Sequence, residues 1–528
     1  MHETAILASM RASGRRWAWI LWACFLARAS FYAVLPPLWE GFDEWAHVAY
    51  IERLACGQGL PALGRTPVSR EVAESLRLVP LPYGHHALPF EHITYEQWWR
   101  LAAAERQARI ERLDALPRAW ACQQSPEAVL NYEAQQPPLY YLMLTPVQRV
   151  AGGLPLRWRV VIMRLLSALL ASFAIPLTYE LARRARCSET CSAAAAALAA
   201  LLPGFGMTAA RVGNDGVSAS IYALLLLAVV SNGPSLAAGF ALGAGLLTKA
   251  YFLTAAPALA LAWIGRLRSK RGILSMAAAF GAAAVIAAWW YGRNYLLTRT
   301  WSGLQQVAAN PDASLSSTLA AASSVDWLGF FDIAFLSHIW IGNWSFLQLR
   351  SWIYRVFALL AAAALAGLMA RLWRERRLCA GLLQAAGFYI FFWLGLCYHE
   401  LTFRAVGASS GAGWYLYALV AAEALLVAAG LEALAGRSRG WLLAGTLGLA
   451  AALDLYGVHF QLLPYYTGLI GHRTGGAVES FHLSRFTELP LALERLMAPA
   501  PVSWFLWAAY LAATVAAFWL ASRAFRVD

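Results

Sequence analysis

The chain has 528 residues, of which 60% are hydrophobic and 13% charged, with a mean hydropathy of +0.51 and 24 tryptophans. A soluble enzyme carries about twice that charged fraction, so an ordinary water-soluble domain is excluded. The net charge of +13 does not point to nucleic acid. The arginines cluster at the ends of apolar runs, where the positive-inside rule places them in cytoplasmic loops.

Arg11, Arg15 and Arg16 precede the first apolar run, Trp17 to Leu35. No small-residue cleavage site follows, so the run reads as a retained first helix. Directly after it comes Gly41-Phe42-Asp43-Glu44-Trp45-Ala46-His47. Two adjacent carboxylates beside a membrane helix are poor anchors and good chemistry. Either can accept the proton of an attacking hydroxyl or hold a divalent metal against a phosphate. A helix N-cap or a solvated loop charge is the competing reading; the position right after the span, between Phe42 and Trp45, favours catalysis by Asp43 and Glu44. His47 lies four residues after Asp43 and shares its helix face. The pair offers two ligands to Mg, Mn or Zn, with no third ligand marked.

Residues 36–160 read as one large extracytoplasmic loop that holds most of the acidic residues and carries juxtamembrane helices. Cys56 and Cys122 both fall in it, and a disulfide between them is left open because sequence gives no distance. In Glu133-Ala134-Gln135-Gln136-Pro137-Pro138-Leu139-Tyr140-Tyr141 the double proline ends one helix and pre-sets the next. The apolar segment from Pro137 to Gly153 is interrupted by Pro146, Gln148 and Arg149. It reads as a helix along the membrane surface, since a span there would invert the basic cluster Arg183-Arg184-Ala185-Arg186.

Further spans are expected near 161–182, 190–208, 215–231, 235–250, 251–265 and 272–291. After an outer region at 292–350, others follow near 351–370, 378–397, 414–434, 440–462 and, past a second outer region at 463–502, 503–522. This is one all-α polytopic membrane domain of about twelve transmembrane helices, 161–291 holding helices two to seven and 351–528 the C-terminal set. Both chain ends are then cytoplasmic, with the clusters Arg266–Arg271, Arg371–Arg377, Arg437-Ser438-Arg439, and Arg523 with Arg526. Residues 235–265 form either two short spans meeting at the outer face or one span and a re-entrant piece.

Polar residues inside this apolar background are the remaining candidates. Arg164 opens the second span. Arg211-Val212-Gly213-Asn214-Asp215-Gly216 lies on the outer side; Asp215 either N-caps the next helix or, with Asn214, binds a sugar hydroxyl or a metal. Lys249 is one of two lysines in the chain and interrupts the apolar stretch Ala244 to Ala260. An unpaired charge deep in a bilayer costs about 2.5–3.5 kcal/mol, so such residues carry a function or a partner. With Arg293, in Trp289-Trp290-Tyr291-Gly292-Arg293-Asn294-Tyr295, it suits the phosphate of a lipid carrier. Snorkelling to headgroups is the alternative for both. His85, His86, His92, His338 and His399 read as interfacial, and Cys187 with Cys191 as inert for want of a second pair.

The acidic pair after the first helix resembles the first-loop motif of the GT-C superfamily of glycosyltransferases. The Gln135-Gln136-Pro137-Pro138-Leu139-Tyr140-Tyr141 segment is similar to the PPL-Y motif of those proteins. Arg164 to Arg184 resembles their second transmembrane helix, and Leu247-Thr248-Lys249 and Trp290 to Tyr295 sit where comparable strings occur. Asn214-Asp215-Gly216 and Ser337-His338-Ile339-Trp340-Ile341-Gly342-Asn343-Trp344 resemble an uncharacterised bacterial subgroup. The resemblance implies an inverting transferase of the bacterial inner membrane, facing the periplasm or cell exterior. It would use a polyprenyl-phosphate (undecaprenyl-type) sugar donor and a glycan, lipid or protein acceptor. By it, Asp43 acts on the acceptor hydroxyl or a metal, Asp215 sits at the sugar, and Lys249 holds the donor phosphate. Arg293, Arg164 and Arg404 are further phosphate candidates, and Asn214, Tyr140 and Glu133 further acceptor, sugar or metal candidates. A late Arg-Tyr motif of the family is replaced here by Gly411-Ala412-Gly413-Trp414-Tyr415. A flippase, transporter or assembly factor for lipid-linked saccharides would also need Lys and Arg at a phosphate. Such transporters show internal repeats and broken midplane helices. This chain shows no repeat and concentrates its polar residues in the first loop. A ligase would carry its major loop later.

Overall fold

The computed structural model describes residues 2–82, 88–127, 129–309, 315–376, 378–435, 439–473 and 477–524. His85, His86, Arg377, Arg437, Ser438 and Arg526 lie outside the described residues. Among those described the chain is helical, with isolated bridges such as Pro67 to Leu130 and no β-strand.

Among the described residues eight helices are long and apolar enough to cross a membrane, and up to ten if each bent helix pair is one span. Nine of the expected spans are met in this way. The bent pair Glu189–Leu201 with Pro203–Ala209 turns by 59°. Pro203 accounts for the turn, because it drives Leu202 out of the helical region to φ −64°, ψ 113°. The other three expected spans are the shorter apolar helices Asn214–Val230, Ser235–Leu246 and Ala250–Ala262. Trp327–Ile339 is also an apolar helix, set at 91° to Thr318–Ser324, within the stretch 292–350. Too short to span alone, it gave no length signal.

The bundle is tied by buried ion pairs. Arg28 of the first helix, His2–Val34, meets Asp454 of Arg439–Gly457 at 2.8 Å, and Asp454 also accepts from Tyr32 and, at 2.7 Å, from Tyr510 of Ala500–Ala524. Three spans therefore share one carboxylate, and both of its oxygens are engaged. Polar residues this deep usually mark function; here the charge is consumed by packing.

The segment between the first two spans packs on Leu156–Ser172 through a second network. Arg159 contacts Glu52 at 3.0 Å and Glu71 at 2.5 Å, holding the helices Glu44–Ala55 and Arg70–Leu78. Cys56 and Cys122 are disulfide-bonded, with Cα atoms 5.5 Å apart, closing the end of Glu44–Ala55 onto residues 118–122. The Leu139–Val150 helix follows the double proline, and Tyr141 stacks on Tyr50 of Glu44–Ala55 at 3.8 Å.

Candidate functional site

Pro36 and Pro37 stop the first helix, and the chain turns sharply before Glu44–Ala55 begins. Trp39 (φ 70°) and Asp43 (φ 58°) both adopt the left-handed conformation that non-glycine residues avoid. Such strain persists where surrounding structure fixes it, and it clusters at working sites. Gly41 allows the turn to close: a Cβ there would lie 3.1 Å from the Arg211 Cβ.

The two adjacent carboxylates have opposite fates. Glu44 is fully buried. Its Oε1 accepts from Arg164 Nε at 2.7 Å and from the Val212 amide at 3.1 Å, and its Oε2 accepts from Arg164 Nη2 at 2.6 Å. Arg164 also donates to the carbonyls of Ala33, Pro36 and Pro37 at 3.1, 2.9 and 2.9 Å. Every N–H of this guanidinium is spent inside the protein. Glu44 as a catalytic group and Arg164 as a phosphate ligand are therefore both corrected: the pair is a strut that locks the turn.

Asp43 is half-buried and begins the next helix with its backbone, but its side chain makes no capping hydrogen bond. Its Oδ1 accepts instead from the Tyr132 hydroxyl at 2.9 Å. Burial raises the Asp43 carboxyl above the usual aspartate range, against the Tyr132 hydrogen bond and the nearby Lys249 and Arg211 charges, which lower it. A carboxylate with raised basicity and one neutral donor has the properties of a general base.

Facing it is a clamp built at two helix breaks. Ser235–Leu246 ends at Leu247-Thr248-Lys249, and the loose carbonyls are captured: Leu246 by the Tyr291 hydroxyl (3.1 Å), Leu247 by the Leu139 amide (2.8 Å) and Thr248 by Asn214 Nδ2 (2.8 Å). The tyrosine of the 289–295 string and the start of the post-proline helix thus hold Lys249 in place. Lys249 Nζ meets Asp215 Oδ1 at 2.6 Å, and Arg211 Nη2 meets Asp215 Oδ2 at 2.9 Å. Asp215 is not an N-cap; Gly213 takes that position. Neither cation is saturated. Arg211 Nε is buried without a partner, and Lys249 lies 5.0 Å over the Tyr415 ring and 5.6 Å from that of Tyr251. Phe42 lies between the Arg211 guanidinium (5.0 Å) and the Trp414 ring (4.2 Å, stacked).

Glu133 closes the same region. Burial first, then the neighbouring Asp43 charge, pushes its carboxyl up to about 8, so it is protonated at neutral pH. Its Oε2 accepts from Gln136 at 2.6 Å. The short helix Gln305–Ala308 bridges the opening: Gln305 donates to the Tyr132 carbonyl, and Gln306 Nε2 lies 3.1 Å from both His399 Nδ1 and Thr402 Oγ1.

The remaining candidates are placed elsewhere. Tyr140 is fully buried, its hydroxyl 2.7 Å from Ser167 Oγ and accepting the Gly213 amide at 2.8 Å, so it positions the Asn214 turn and cannot reach an acceptor. Asn214 spends its amide on Gln136 and Thr248, leaving Oδ1 orphaned. Arg293 donates to the Pro61 carbonyl at 2.6 Å and stacks over Trp290, pinning the first loop instead of facing the clamp. Arg404 is exposed at the end of Ala380–Arg404, 3.3 Å from Ser324. His47 Nδ1 is 2.8 Å from the Tyr141 hydroxyl, and burial pushes the ring down to about 3, so it is neutral. Among the described residues no group of three or more His, Cys, Asp or Glu side chains could hold a metal ion. The expected Asp43 and His47 metal pair has no third ligand.

Sequence singles out neither Arg211 nor Tyr132 as a site residue by itself, and it gives no sign of the buried Glu40 that anchors the preceding turn. The i, i+4 spacing of Arg211 and Asp215 was the available signal for the first. Glu40 is fully buried and accepts from Tyr95 (2.8 Å), Tyr466 (3.0 Å) and the Ser345 amide (3.0 Å), partners no local pattern reveals. Burial raises its carboxyl to about 7 against those hydrogen bonds.

No protein-family model matches the chain, and no curated protein does. Among solved structures it is similar to two crystal structures of ArnT from Cupriavidus metallidurans. Against the apo form the identity is 17% over 74% of this chain and 65% of that one, with a TM-score of 0.38. Against the form bound to undecaprenyl phosphate it is 14% over 98% and 76%, with a TM-score of 0.44. The chain thus spans just under two thirds of the apo structure it matches.

Proposed function

We propose that this multi-pass membrane protein is an inverting glycosyltransferase. It moves a sugar from a polyprenyl-phosphate donor to a glycan, lipid or protein acceptor at the outer face of the bacterial inner membrane. One observation carries the reading: Asp43, freed from helix capping, lies within electrostatic reach of two cations, Lys249 and Arg211, whose donors are not used up.

In the reaction the acceptor hydroxyl oxygen bonds to the anomeric carbon from the side opposite the lipid phosphate. The bond from that carbon to the phosphate oxygen breaks, the hydroxyl proton passes to Asp43, and the negative charge leaves on the lipid phosphate. Lys249 and Arg211 hold that charge in a site where burial strengthens it. Asp215 keeps both cations in position and limits their repulsion before the phosphate arrives. Tyr251, Trp414 and Tyr415 offer aromatic faces for the sugar ring.

The test is direct. In nanodiscs, a polyprenyl-phosphate sugar should bind the protein, and Lys249→Ala should weaken donor binding by roughly tenfold or more while leaving acceptor binding unchanged. Equal loss of both would remove Lys249 from the donor phosphate. Movement of the intact lipid-linked sugar across the bilayer, with no transfer product, would replace the transferase by a flippase.

A further inference from the structure

A cavity of about 350 Å³ lies where the first span ends and the last begins. Its walls come from Tyr95–Arg100, Ala103–Asp114 and residues 494–497. The floor is apolar, with Leu35, Pro37, Val79, Ile110 and Met497. The rim carries two arginines on one tryptophan: Arg106 lies 5.0 Å and Arg495 4.7 Å from the Trp99 ring centroid. Trp99 is itself fixed by its indole N–H, which donates to the Tyr466 carbonyl at 3.1 Å.

Two like charges held against one ring repel each other unless an anion separates them. One carboxylate, Glu488, lies within electrostatic reach of Arg495, but both its oxygens are already held by Arg485 at 2.6 and 2.8 Å. Arg106 donates to the Leu101 carbonyl and Arg495 to the Thr467 carbonyl at 2.7 Å, leaving most of their N–H groups unspent. Among the described residues neither is ion-paired. The third arginine, Arg157, is neutralised by a bidentate pair with Asp114 at 2.7 and 2.6 Å, and Glu494, exposed on the rim, pairs with neither of the other two. Burial first and then the Arg106 charge push Arg495 below its ordinary range, against the Glu488 charge, which raises it.

We propose that this cavity binds the phosphate of an anionic membrane phospholipid, held between Arg106 and Arg495, with the first part of its chain on the apolar floor. The floor argues for a lipid over a free anion. It lies where the first apolar helix ends, at Val34, and the last begins, at Ala500, and a free phosphate would leave it uncovered. The site is separate from the Lys249 clamp and stands whether or not the chain is a transferase. One hydrogen bond links it to the segment before the Asp43 turn: Tyr466 lines the cavity and donates to Glu40, three residues before Asp43.

The full-length protein is reconstituted in nanodiscs of equal phosphatidic acid and phosphatidylcholine, and retained lipid is counted by native mass spectrometry. Wild type should retain phosphatidic acid preferentially. Arg106→Gln/Arg495→Gln should lower that retention by roughly tenfold or more, with phosphatidylcholine and melting temperature unchanged. Ile110→Trp, which fills the floor and leaves both arginines, should lower it as well. Wild-type retention by the folded double variant overturns the site. If that variant does not fold, Ile110→Trp decides alone, and retention equal to wild type overturns the proposal. Inorganic phosphate protecting wild type and Ile110→Trp equally, with lipid retention unchanged in Ile110→Trp, would make this a free-anion site and overturn the lipid assignment.

Discussion

Asp43→Asn is the sharpest perturbation of the site, because it removes the base and little else. The Asn carbonyl keeps the acceptor for the Tyr132 hydroxyl, now 2.9 Å from Oδ1. The left-handed backbone at φ 58° suits Asn better than most residues, so the turn is not strained further. The charge itself does not support the fold. Burial raises the folded carboxyl above its unfolded value, so ionising Asp43 opposes folding above the aspartate range, and that cost fades as pH falls below it. The amide should therefore leave melting temperature equal or slightly higher at neutral pH, with the difference closing in acid. A positioned general base contributes about 10²- to 10⁴-fold, or about 3–5 kcal/mol of barrier. The turnover of labelled sugar from a saturating polyprenyl-phosphate donor should fall by that factor while donor binding persists. Full activity in Asp43→Asn would refute the assignment. So would a large loss of melting temperature, which would recast Asp43 as structural.

Arg164→Ala should destabilise the protein by about 3–5 kcal/mol, since it strands the buried Glu44 carboxylate; an unchanged melting temperature would show that the strut does not hold the turn. Glu133→Gln should flatten the pH dependence of stability. The wild-type carboxyl, raised from 4.5 to about 8, contributes stability that is complete in acid and is lost as pH rises through about 8. A melting profile that stays parallel to wild type across that range would count against the raised value. Cys56→Ser/Cys122→Ser opens a loop of 66 residues and should cost about 4 kcal/mol by the chain-entropy relation. Reduction of wild type with no change in melting temperature would indicate that the loop is held by Arg159 and its two glutamates alone.

The helices were legible because a bilayer imposes a length on them. Each apolar run expected to span falls on a helix, and the basic residues of the clusters that are described lie at or next to helix ends. The exceptions follow from the same rule. Trp327–Ile339 is apolar but shorter than a span, and the bend at Leu202 depends on one proline inside an otherwise uniform alanine-rich run. Sequence alone leaves the Cys56–Cys122 bond open, because only the packing of Glu44–Ala55 against residues 118–122 supplies the distance.

The site was half legible, and the division has a physical basis. Sequence marks a charge that is out of place in an apolar setting; it does not say whether the charge is consumed. Asp43 and Glu44 are equivalent on paper, as are Lys249, Arg164 and Arg293. What separates them is donor and acceptor accounting across distant segments. Arg164 spends every donor on Glu44 and three carbonyls, and Arg293 is drawn to Pro61, while Arg211 and Lys249 share Asp215 and keep donors to spare. The same accounting sets the control for Asp43→Asn. Glu44→Gln leaves an isosteric group but removes the charge opposite Arg164, so it should lower melting temperature while the molecules that remain folded keep their turnover. If instead Glu44→Gln keeps stability and loses turnover as far as Asp43→Asn does, the two carboxylates act together on the acceptor and the strut reading fails.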